Sequence, residues 1–324
     1  MVKCSVVGAG AWGTAIATAL DRAGSDVTIW ALEEEVVESI NLQNENTVYL
    51  NGVKLSKNIK ATNSFEEIGN AELIYLVSPS QFARATCKQL LDAGLSKDIP
   101  IVICCKGVEN NTLMLMNEVV KEILDNNICV MSGPTFASEV ARGLPASVSL
   151  ACQEFSIIDL ICRSIESETF KIFPTDDIVG AEVGSAIKNV IAIACGIAEG
   201  SGLGENAKAA LMVRGLREMK TICLRKSGNP DTLMQLCGVG DLILTASSQE
   251  SRNFSLGYEL GQGKTLEQIM EKRNTVAEGV ASSESLHMLS DTLNIDLPVC
   301  ETVYKIVHGK EDIVKTIGSL VKES

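Results

Sequence analysis

The first half of the chain alternates short apolar, β-branched runs with longer stretches of helical periodicity. The apolar runs cover residues 3–8, 26–31, 72–78, 100–105 and 128–133. Runs of this length, each followed by a helical pattern, predict βαβ units and a parallel sheet. Two further strand-like runs, "PASVSLAC" and "ETFKIFP", complete or flank that sheet.

Polar residues collect where these predicted strands end. The first five runs are followed by Gly8 to Gly13, Glu33, Ser78-Pro79, Lys106-Gly107 and Gly133-Pro134-Thr135. The carboxyl ends of parallel strands meet at one edge of a sheet, and ligands of doubly wound sheets bind outside that edge. We therefore expect a ligand site there.

The pattern changes near residue 178, where strand signals stop and helical patterns broken by glycine turns begin. This change predicts an α/β domain with a mostly parallel sheet over residues 1–178, followed by an all-α domain over residues 179–324. Because neither an internal repeat nor a long linker separates them, we expect the two domains to pack closely, with a ligand cleft between them.

A glycine turn assigns chemistry to the first domain. Gly8, Gly10 and Gly13 form a G-x-G-x-x-G motif directly after a strand and before a helix, as in Rossmann-like dinucleotide-binding domains. Glu33 lies twenty residues beyond Gly13, a spacing at which a carboxylate binds ribose hydroxyls. The alternatives without a ligand are a purely structural turn for the glycine motif and an ordinary solvated acidic run for Glu33. The stretch "WALEEE" supplies no cation for a 2′-phosphate, which favours NAD over NADP.

Composition narrows the class of partner. The 324 residues are 46% hydrophobic and carry a formal net charge of −13, which argues against nucleic acid and anionic membranes as partners. The apolar runs are shorter than the roughly 18 residues of a membrane span, and the start of the chain lacks a secretory pattern, so we expect a cytoplasmic protein. Eleven cysteines without a CxxC pair indicate neither a disulfide framework nor a metal site.

One lysine stands out in the helical half. The two histidines, His287 and His308, lie in late helical patterns typical of structural roles, so proton transfer is expected from another residue type. Lys188 lies in an apolar helix, and Gly180 and Gly184 are expected to leave room beside it for another molecule. Burial would lower the pKa of this lysine and suit it to proton exchange. The alternative is a lysine that extends to solvent from a core helix.

Three further residues are candidates for the same site. Lys106 ends a predicted strand, Asp241 lies in the turn "GVGDL", and Arg252 opens a helix, where a phosphate or carboxylate is readily bound. Each has a structural alternative, respectively a solvated strand end, a helix cap and a surface arginine. Asp241 either fixes a substrate hydroxyl or orients a lysine, and the sequence leaves both open.

Seven sequence blocks spanning most of the chain carry a family resemblance. They are "GAGAWGTA" (8–15), "CKG" (105–107), "SGPTFASEVARGLP" (132–145), "KNVIAIACGIAEGSGLGENAKAALMVRGLREM" (188–219), "GVGDLILT" (238–245), "SRN" (251–253) and "VAEGV" (276–280). In this order they resemble bacterial-type NAD(P)-dependent glycerol-3-phosphate dehydrogenase, a soluble enzyme of phospholipid precursor synthesis. Many members place a His or Arg near Leu32 and Glu33, and its absence here puts NADPH use in doubt.

The resemblance implies roles for individual residues. At the cofactor, in addition to the glycine turn, it implies Ala11, Trp12, Lys106, Ala137, Arg252, Val276 and Glu278. Near the substrate it implies Lys106, Gly133, Thr135, Lys188, Asp241, Ser251, Arg252 and Asn253. Lys188 is the implied proton-transferring group.

The implied reaction is reversible reduction of dihydroxyacetone phosphate to sn-glycerol 3-phosphate. In this hypothesis Lys188, as an ammonium, donates a proton to the alkoxide that develops at C2. A homodimer is plausible from the family. The sequence leaves two alternatives: a 3-hydroxy acid dehydrogenase of related layout, which shares a Gly-x-x-x-Lys-Asn motif, and a protein that binds NAD(H) without turnover.

Overall fold

The chain forms two compact units in the computed structural model, which describes residues 1–271, 277–309, 317, 318 and 320. The first unit comprises Met1–Lys106 and Met116–Ile178, and the second comprises Gly107–Leu115 and Val179–Ser324. Each unit has its own hydrophobic core. The segment Gly107–Leu115, assigned by its sequence position to the first domain, belongs to the second unit, where the Ser285 hydroxyl donates to the Val108 carbonyl at 3.2 Å.

The first unit is an eight-stranded sheet with helices between the strands. Its strands are β1 (Lys3–Val7), β2 (Asp26–Trp30), β3 (Lys60–Thr62), β4 (Leu73–Leu76), β5 (Ile101–Ile103), β6 (Ile128–Ser132), β7 (Ala146–Ala151) and β8 (Phe170–Thr175). Its helices are α1 (Ala11–Arg22), α2 (Glu34–Gln43), α3 (Phe65–Ile68), α4 (Ala83–Asp92), α5 (Met116–Lys121), α6 (Ala137–Arg142) and α7 (Phe155–Ile165). The predicted α/β class is confirmed.

The strand order is β3-β2-β1-β4-β5-β6-β7-β8, and every neighbouring pair is parallel except β6 with β7. Strands β4, β5 and β6 are buried at every residue, as expected for parallel strands covered on both faces. The carboxyl ends of β2, β1, β4, β5 and β6 therefore lie side by side at one edge. The turns that were expected to hold the ligand begin at that edge.

The second unit is helical. Its helices are α8 (Ile178–Gly200), α9 (Glu205–Arg225), α10 (Asp241–Ser247), α11 (Arg252–Gly261), α12 (Leu266–Met270), α13 (Glu278–Leu293) and α14 (Pro298–Val307). Helix α8 is buried at every position from Gly180 to Ala198, because most of its residues are apolar and α9, α11 and α13 pack against it. The whole helix is long and apolar enough to cross a membrane, although the shorter apolar runs in the sequence did not suggest this. However, 89% of its most apolar window is buried inside the protein.

Glycines set the distance between α8 and α11. A Cβ atom at Gly196 would lie 2.1 Å from the Phe254 carbonyl oxygen, and one at Gly257 would lie 2.1 Å from the Ile193 carbonyl oxygen. The two helix backbones therefore touch through glycines on both sides, a contact that any larger residue would prevent. This contact fixes the beginning of α11 relative to the middle of α8.

A buried carboxyl group joins α9 to the beginning of α14. Glu218 is 4% exposed, and its two carboxyl oxygens accept the backbone N–H groups of Val299 (2.5 Å) and Cys300 (3.1 Å). Burial raises the pKa of Glu218 from 4.5 to about 7, against the opposing effect of the two backbone hydrogen bonds. This group should therefore titrate near neutral pH in the folded protein.

The stability of the protein is expected to fall as the pH rises through 7. Since the folded pKa of Glu218 lies above its ordinary 4.5, the folded protein binds this proton more tightly than the unfolded chain does. The stabilisation is complete below about pH 4.5 and is lost as the pH rises through about 7; the gap between the two pKa values is worth about 3 kcal/mol of unfolding free energy. Urea unfolding at several pH values measures it.

The matched variants for this measurement are Glu218→Gln and Glu205→Gln. Glutamine at 218 removes the titrating group, so we expect its unfolding free energy to change little between pH 5.5 and 8. Glu205 is an exposed carboxylate on the same helix, α9, and its replacement should leave the pH dependence of the parent. An equal pH dependence in the Glu218→Gln protein would show that another group is responsible.

Candidate active site

The glycine turn of the first unit has no space for a side chain at two of its glycines but has space at the third. Gly8 has φ +119°, and a Cβ atom there would lie 2.9 Å from the Ser78 nitrogen; one at Gly13 would lie 1.8 Å from the Gly8 carbonyl oxygen. Gly10, by contrast, has no atom of the described residues within 4 Å of its Cβ position, and it precedes α1 without a capping side chain. A phosphate group can approach the backbone at Gly10 and the first N–H groups of α1.

A buried asparagine, which the sequence analysis did not identify, holds this turn. The side-chain amide of Asn46 donates to the Ala9 carbonyl at 2.8 Å and to the Thr14 hydroxyl at 2.8 Å. Asn46 is fully buried. The turn is thus held by hydrogen bonds that do not depend on a ligand, so that little ordering remains to be done when a ligand binds.

Three buried polar atoms at the carboxyl edge fit the presence of a polar ligand. The Trp12 indole nitrogen and the hydroxyls of Ser78 and Ser132 have no hydrogen-bond partner among the described residues. Buried polar groups in folded proteins are nearly always paired. These three lie near the start of α1, after β4 and at the end of β6, respectively. Together with the open position at Gly10, they make the edge suitable for a dinucleotide.

Glu33 follows β2, where a ribose-binding carboxylate was expected. It immediately precedes α2, and its carboxylate accepts a hydrogen bond from the Tyr49 hydroxyl at 2.8 Å. The sequence analysis did not identify Tyr49. The neighbouring Leu32 is exposed. Tyr49 restricts the carboxylate of Glu33 to one side, and ribose binding by Glu33 stays a prediction.

The predicted substrate residues of the first unit lie together after β5 and β6. The Lys106 ammonium is 3.5 Å from the Gly133 carbonyl oxygen, and the Thr135 hydroxyl donates to the same oxygen at 3.3 Å. A Cβ atom at Gly133 would lie 2.8 Å from the Val148 Cα atom, so only glycine fits there. Ala137 follows as the first residue of α6. The sequence therefore identified a local cluster.

In the second unit, Lys188 lies in a buried polar cluster. It is 6% exposed, and its ammonium donates to the Asp241 carboxylate at 2.5 Å and to the Thr245 hydroxyl at 2.9 Å. Asp241 is 0% exposed, and its carboxylate also accepts from Thr245 at 3.2 Å. The lysine therefore does not extend to solvent. Of the two roles left open for Asp241, this geometry favours orientation of the lysine.

The close approach of Asp241 depends on Gly184, one helical turn before Lys188. A Cβ atom at Gly184 would lie 2.6 Å from the carbonyl oxygen of Cys237, in the turn that leads into Asp241. We expected Gly184 to leave room for another molecule, and that expectation was wrong: the chain's own turn at Cys237 fills the space. The glycine instead lets the Asp241 segment pack against α8.

Thr245 was missed in the sequence analysis although a local signal existed. It follows Asp241 by four residues on α10, so both side chains lie on the same face of that helix. Asn189, next to Lys188, was also missed; its side-chain amide is 3.5 Å from the Glu278 carboxylate. Neither threonine nor asparagine carries a charge, and only the fold shows what they contact.

The beginning of α11 holds the predicted anion-binding residues. Ser251 caps the helix by accepting the Phe254 N–H at 3.2 Å, and Asn253 accepts the Gly279 N–H at 2.9 Å through its side-chain oxygen. Arg252, between them, is exposed at the first position of the helix. The buried neighbours fix the backbone and leave the guanidinium at the surface of this unit. Val276, also predicted at the cofactor, lies outside the described residues.

The two histidines have structural surroundings. His287 lies 2.5 Å from the Glu301 carboxylate and stacks on Tyr304, and His308 packs against the same tyrosine. His287 therefore belongs to the packing of α13 against α14, and His308 packs on its own helix at the end of α14. Among the described residues, no cluster of three or more His, Cys, Asp or Glu side chains is arranged to hold a metal ion.

These features are those of a dinucleotide-dependent dehydrogenase with an α/β unit and a helical unit. Comparison with known proteins gives the family: residues 3–157 and 177–318 match the N- and C-terminal models of NAD-dependent glycerol-3-phosphate dehydrogenase. The chain belongs to this family. It is 46% identical to Glycerol-3-phosphate dehydrogenase [NAD(P)+] of Hyphomonas neptunium over 98% of this chain and 94% of that protein. The Parvibaculum lavamentivorans enzyme is 43% identical over 98% and 96% of the two chains.

Solved structures agree with this assignment. The crystal structure of glycerol-3-phosphate dehydrogenase from Coxiella burnetii superposes with a TM-score of 0.95 at 30% identity, over 99% of both chains. D-mandelate dehydrogenase with NADH and anilino(oxo)acetate superposes with a TM-score of 0.67 at 16% identity, over 97% and 99% of the two chains. At that identity the second match shows a shared fold alone.

Proposed function

We propose that the chain catalyses the reversible, NAD(P)-dependent reduction of dihydroxyacetone phosphate to sn-glycerol 3-phosphate. The observation that carries the proposal is the buried Lys188–Asp241–Thr245 cluster, found in a chain that also has an open dinucleotide turn. A buried lysine held by a carboxylate is a costly arrangement for structure alone, since hydrophobic residues of similar volume are often equally stabilising. In a dehydrogenase, a buried lysine of this kind is suited to proton transfer.

The first unit holds the cofactor in this proposal. When bound, NAD(P)H supplies the hydride that the reduction requires. Gly10 admits the pyrophosphate to the N–H groups at the start of α1, with Ala11 and Trp12 beside it and Ala137 at the start of α6. The carboxylate of Glu33 accepts hydrogen bonds from the adenine-side ribose hydroxyls, which favours NAD over NADP.

Lys188 moves the proton. Its ammonium group is held by Asp241 and Thr245 through two hydrogen bonds, which fix the position of Nζ before the substrate arrives. Nζ then donates a proton to the oxygen on C2 as that oxygen gains negative charge, and takes it back in the reverse reaction. Because Asp241 is fully buried, its charge stabilises the ammonium form of Lys188 in the resting protein.

The substrate phosphate is an anion, and the proposed cations recognise it. Arg252 supplies a guanidinium at the beginning of α11, and Ser251 and Asn253 present polar side chains beside it. For Lys106, Gly133 and Thr135 of the first unit, substrate binding is proposed from the family resemblance. Arg252, Val276 and Glu278 complete the set proposed for the cofactor. A few local cations suffice against the net charge of −13.

The setting of the reaction is part of the proposal. We place the enzyme in the cytoplasm, as a homodimer without membrane insertion or nucleic-acid binding, supplying glycerol phosphate for phospholipid synthesis. The buried environment of α8 supports the absence of membrane insertion.

The test is NADH consumption with dihydroxyacetone phosphate, compared with a panel of 2- and 3-keto acids and repeated with NADPH. We expect rapid consumption with dihydroxyacetone phosphate alone, and a higher kcat/KM with NADH than with NADPH. Preference for a 3-keto acid would favour the 3-hydroxy acid dehydrogenase. NADH binding with no consumption in any mixture would instead identify a protein that binds the dinucleotide without turnover.

Replacing Arg252 with alanine is expected to raise the KM for dihydroxyacetone phosphate while changing kcat less. A hydrogen bond to a charged group contributes about 1.5–3 kcal/mol, which corresponds to a rise in KM of roughly ten- to a hundred-fold. Arg225, an exposed arginine at the end of α9, provides the matched control, and Arg225→Ala should leave KM unchanged. Equal KM values for the parent and Arg252→Ala would place the phosphate elsewhere.

A further inference from the structure

Two cysteines face each other across the antiparallel pair of strands in the first unit. Cys129 is the second residue of β6, and Cys152 directly follows the last residue of β7. The register pairs Val130 with Ala151, so the next pair along the antiparallel ladder is Cys129 with Cys152. Their sulfur atoms are 2.7 Å apart, compared with about 2.04 Å in a disulfide bond. Directly opposed residues bring Cβ atoms close to the separation that a disulfide needs.

The two thiols lie away from the proposed active site. Strand β6 runs from Cys129 towards Gly133 at the carboxyl edge, so the cysteine pair lies near the opposite edge of the sheet. Cys129 is 0% and Cys152 is 3% exposed, but Cys152 is followed by the exposed residues 153–156. Cys152 therefore adjoins an exposed segment of the chain.

The contact between the thiols makes them chemically unequal. The Cys129 thiol donates a hydrogen bond to the Cys152 sulfur, and this bond lowers the pKa of Cys152. The same bond, together with burial, raises the pKa of Cys129. The thiolate is the reactive form of cysteine towards oxidants. Cys152 thus has the properties of an attacking thiol, and Cys129 those of a resolving thiol beside it.

We propose that Cys129 and Cys152 form a reversible intramolecular disulfide when the protein meets a peroxide. The Cys152 thiolate attacks one peroxide oxygen, the O–O bond breaks, and Cys152 becomes a sulfenic acid while the other oxygen leaves as water after protonation. The Cys129 sulfur then attacks the Cys152 sulfur, the S–O bond breaks, and hydroxide leaves with the Cys129 proton as a second water. The two thiols are oxidised by two electrons, and a dithiol reductant restores them by exchange.

Peptide mapping of the full chain tests the proposal. Cleavage after Lys and Arg gives one peptide of residues 122–142, containing Cys129, and one of residues 143–163, containing Cys152 and Cys162. In the Cys162→Ser protein, Cys152 is the only cysteine of the second peptide. This variant is treated in its folded state with hydrogen peroxide, and its remaining thiols are then blocked. We expect the two peptides to be linked and two thiols to be lost per chain. Dithiothreitol should separate the peptides.

Two results would overturn the proposal. One is loss of thiols to sulfinic acid or to other cysteine pairs without the linked peptides. The other is retention of all thiols at a peroxide concentration that oxidises a small-molecule thiol completely. The mapping uses native Cys129 and Cys152, so it does not depend on whether variants at these positions fold.

Variants and a thermal scan provide a second readout. Cys129→Ser and Cys152→Ser should each abolish the linked peptides, whereas Cys87→Ser, which changes a buried cysteine on α4, should not. The new bond closes a loop over residues 129–152 and so restricts the unfolded chain. We expect the oxidised protein to melt a few degrees above the reduced protein. An unchanged or lower Tm in protein shown to be linked would mean that forming the bond distorts β6 and β7.

Discussion

Replacing Lys188 with methionine is expected to lower kcat by roughly a hundred- to ten-thousand-fold, the usual contribution of a positioned proton donor. Methionine fills a similar volume but cannot donate a proton to the oxygen on C2. The affinity for NADH should change little, because Lys188 is not among the residues proposed to hold the dinucleotide. Steady-state kinetics and calorimetric titration with NADH measure the two quantities. A variant that keeps more than about a tenth of the parent kcat would contradict the role of Lys188.

Loss of fold must be separated from loss of chemistry in this experiment. Methionine at 188 leaves the Asp241 carboxylate buried without its ammonium partner, and breaking a buried pair costs about 3–5 kcal/mol of stability. Lys188→Arg keeps the positive charge, but a guanidinium does not release a proton at neutral pH. We therefore expect this variant to have a folded Asp241 environment and a kcat as low as that of Lys188→Met.

Lys208 provides a matched control for burial and charge. It is also a buried lysine of the helical unit, and its ammonium pairs with the carboxylates of Glu199 and Glu205. Lys208→Met should destabilise the protein while leaving the kcat of the folded fraction near that of the parent. If kcat collapsed in the folded Lys208→Met protein as well, the loss of activity in Lys188→Met would not be specific to Lys188, and the proposed role of Lys188 would be contradicted.

Replacing Gly10 with valine is expected to raise the Kd for NADH about a hundred-fold or more without unfolding the protein. The backbone at Gly10 has φ −63°, which any L-residue adopts, and within the described part of the chain no atom lies within 4 Å of the Cβ position. The added side chain therefore occupies the space through which the pyrophosphate approaches. A hundred-fold rise corresponds to about 2.8 kcal/mol of lost binding free energy. Calorimetric titration with NADH, beside a thermal scan, provides both readouts.

Gly69 is the control for this substitution. It also has a negative φ, −65°, and among the residues that the structure describes only the Glu66 carbonyl oxygen lies near its Cβ position, at an ordinary contact distance of 3.8 Å. Gly69→Val should leave both NADH affinity and kcat unchanged. Parent-like NADH binding by Gly10→Val would mean that the dinucleotide does not approach the backbone at this turn.

Much of the architecture could be predicted because it follows from periodicity. Short apolar runs between helical patterns predicted the central strands and the mostly parallel sheet, and the residues after those runs identified the carboxyl edge. The antiparallel pairing of β6 with β7 and the three-residue strand β3 could not be predicted in this way, since strand direction and short edge strands depend on contacts far along the chain. The contribution of Gly107–Leu115 to the helical unit has the same origin.

The site was predictable at its charged residues and less so at the uncharged ones. Lys188, Asp241 and Arg252 stood out because charges in apolar or glycine-rich surroundings need an explanation. Thr245 and Asn46 did not, because an uncharged polar residue fits many environments. The interpretation of Gly184 was wrong for a similar reason. A glycine on a helix face indicates close packing at that position, but the sequence does not show whether a ligand or another segment of the chain packs there.

The central claim is that hydride reaches C2 of the three-carbon phosphate at a site where Lys188 supplies the proton. The most direct test uses NADH deuterated at the transferred position, with dihydroxyacetone phosphate as substrate and NMR of the product. We expect one deuterium at C2 of sn-glycerol 3-phosphate with the parent protein, and an initial rate of labelling roughly a hundred-fold or more lower with Lys188→Met. Unlabelled glycerol phosphate, deuterium at another carbon, or equal labelling by the variant would contradict the account.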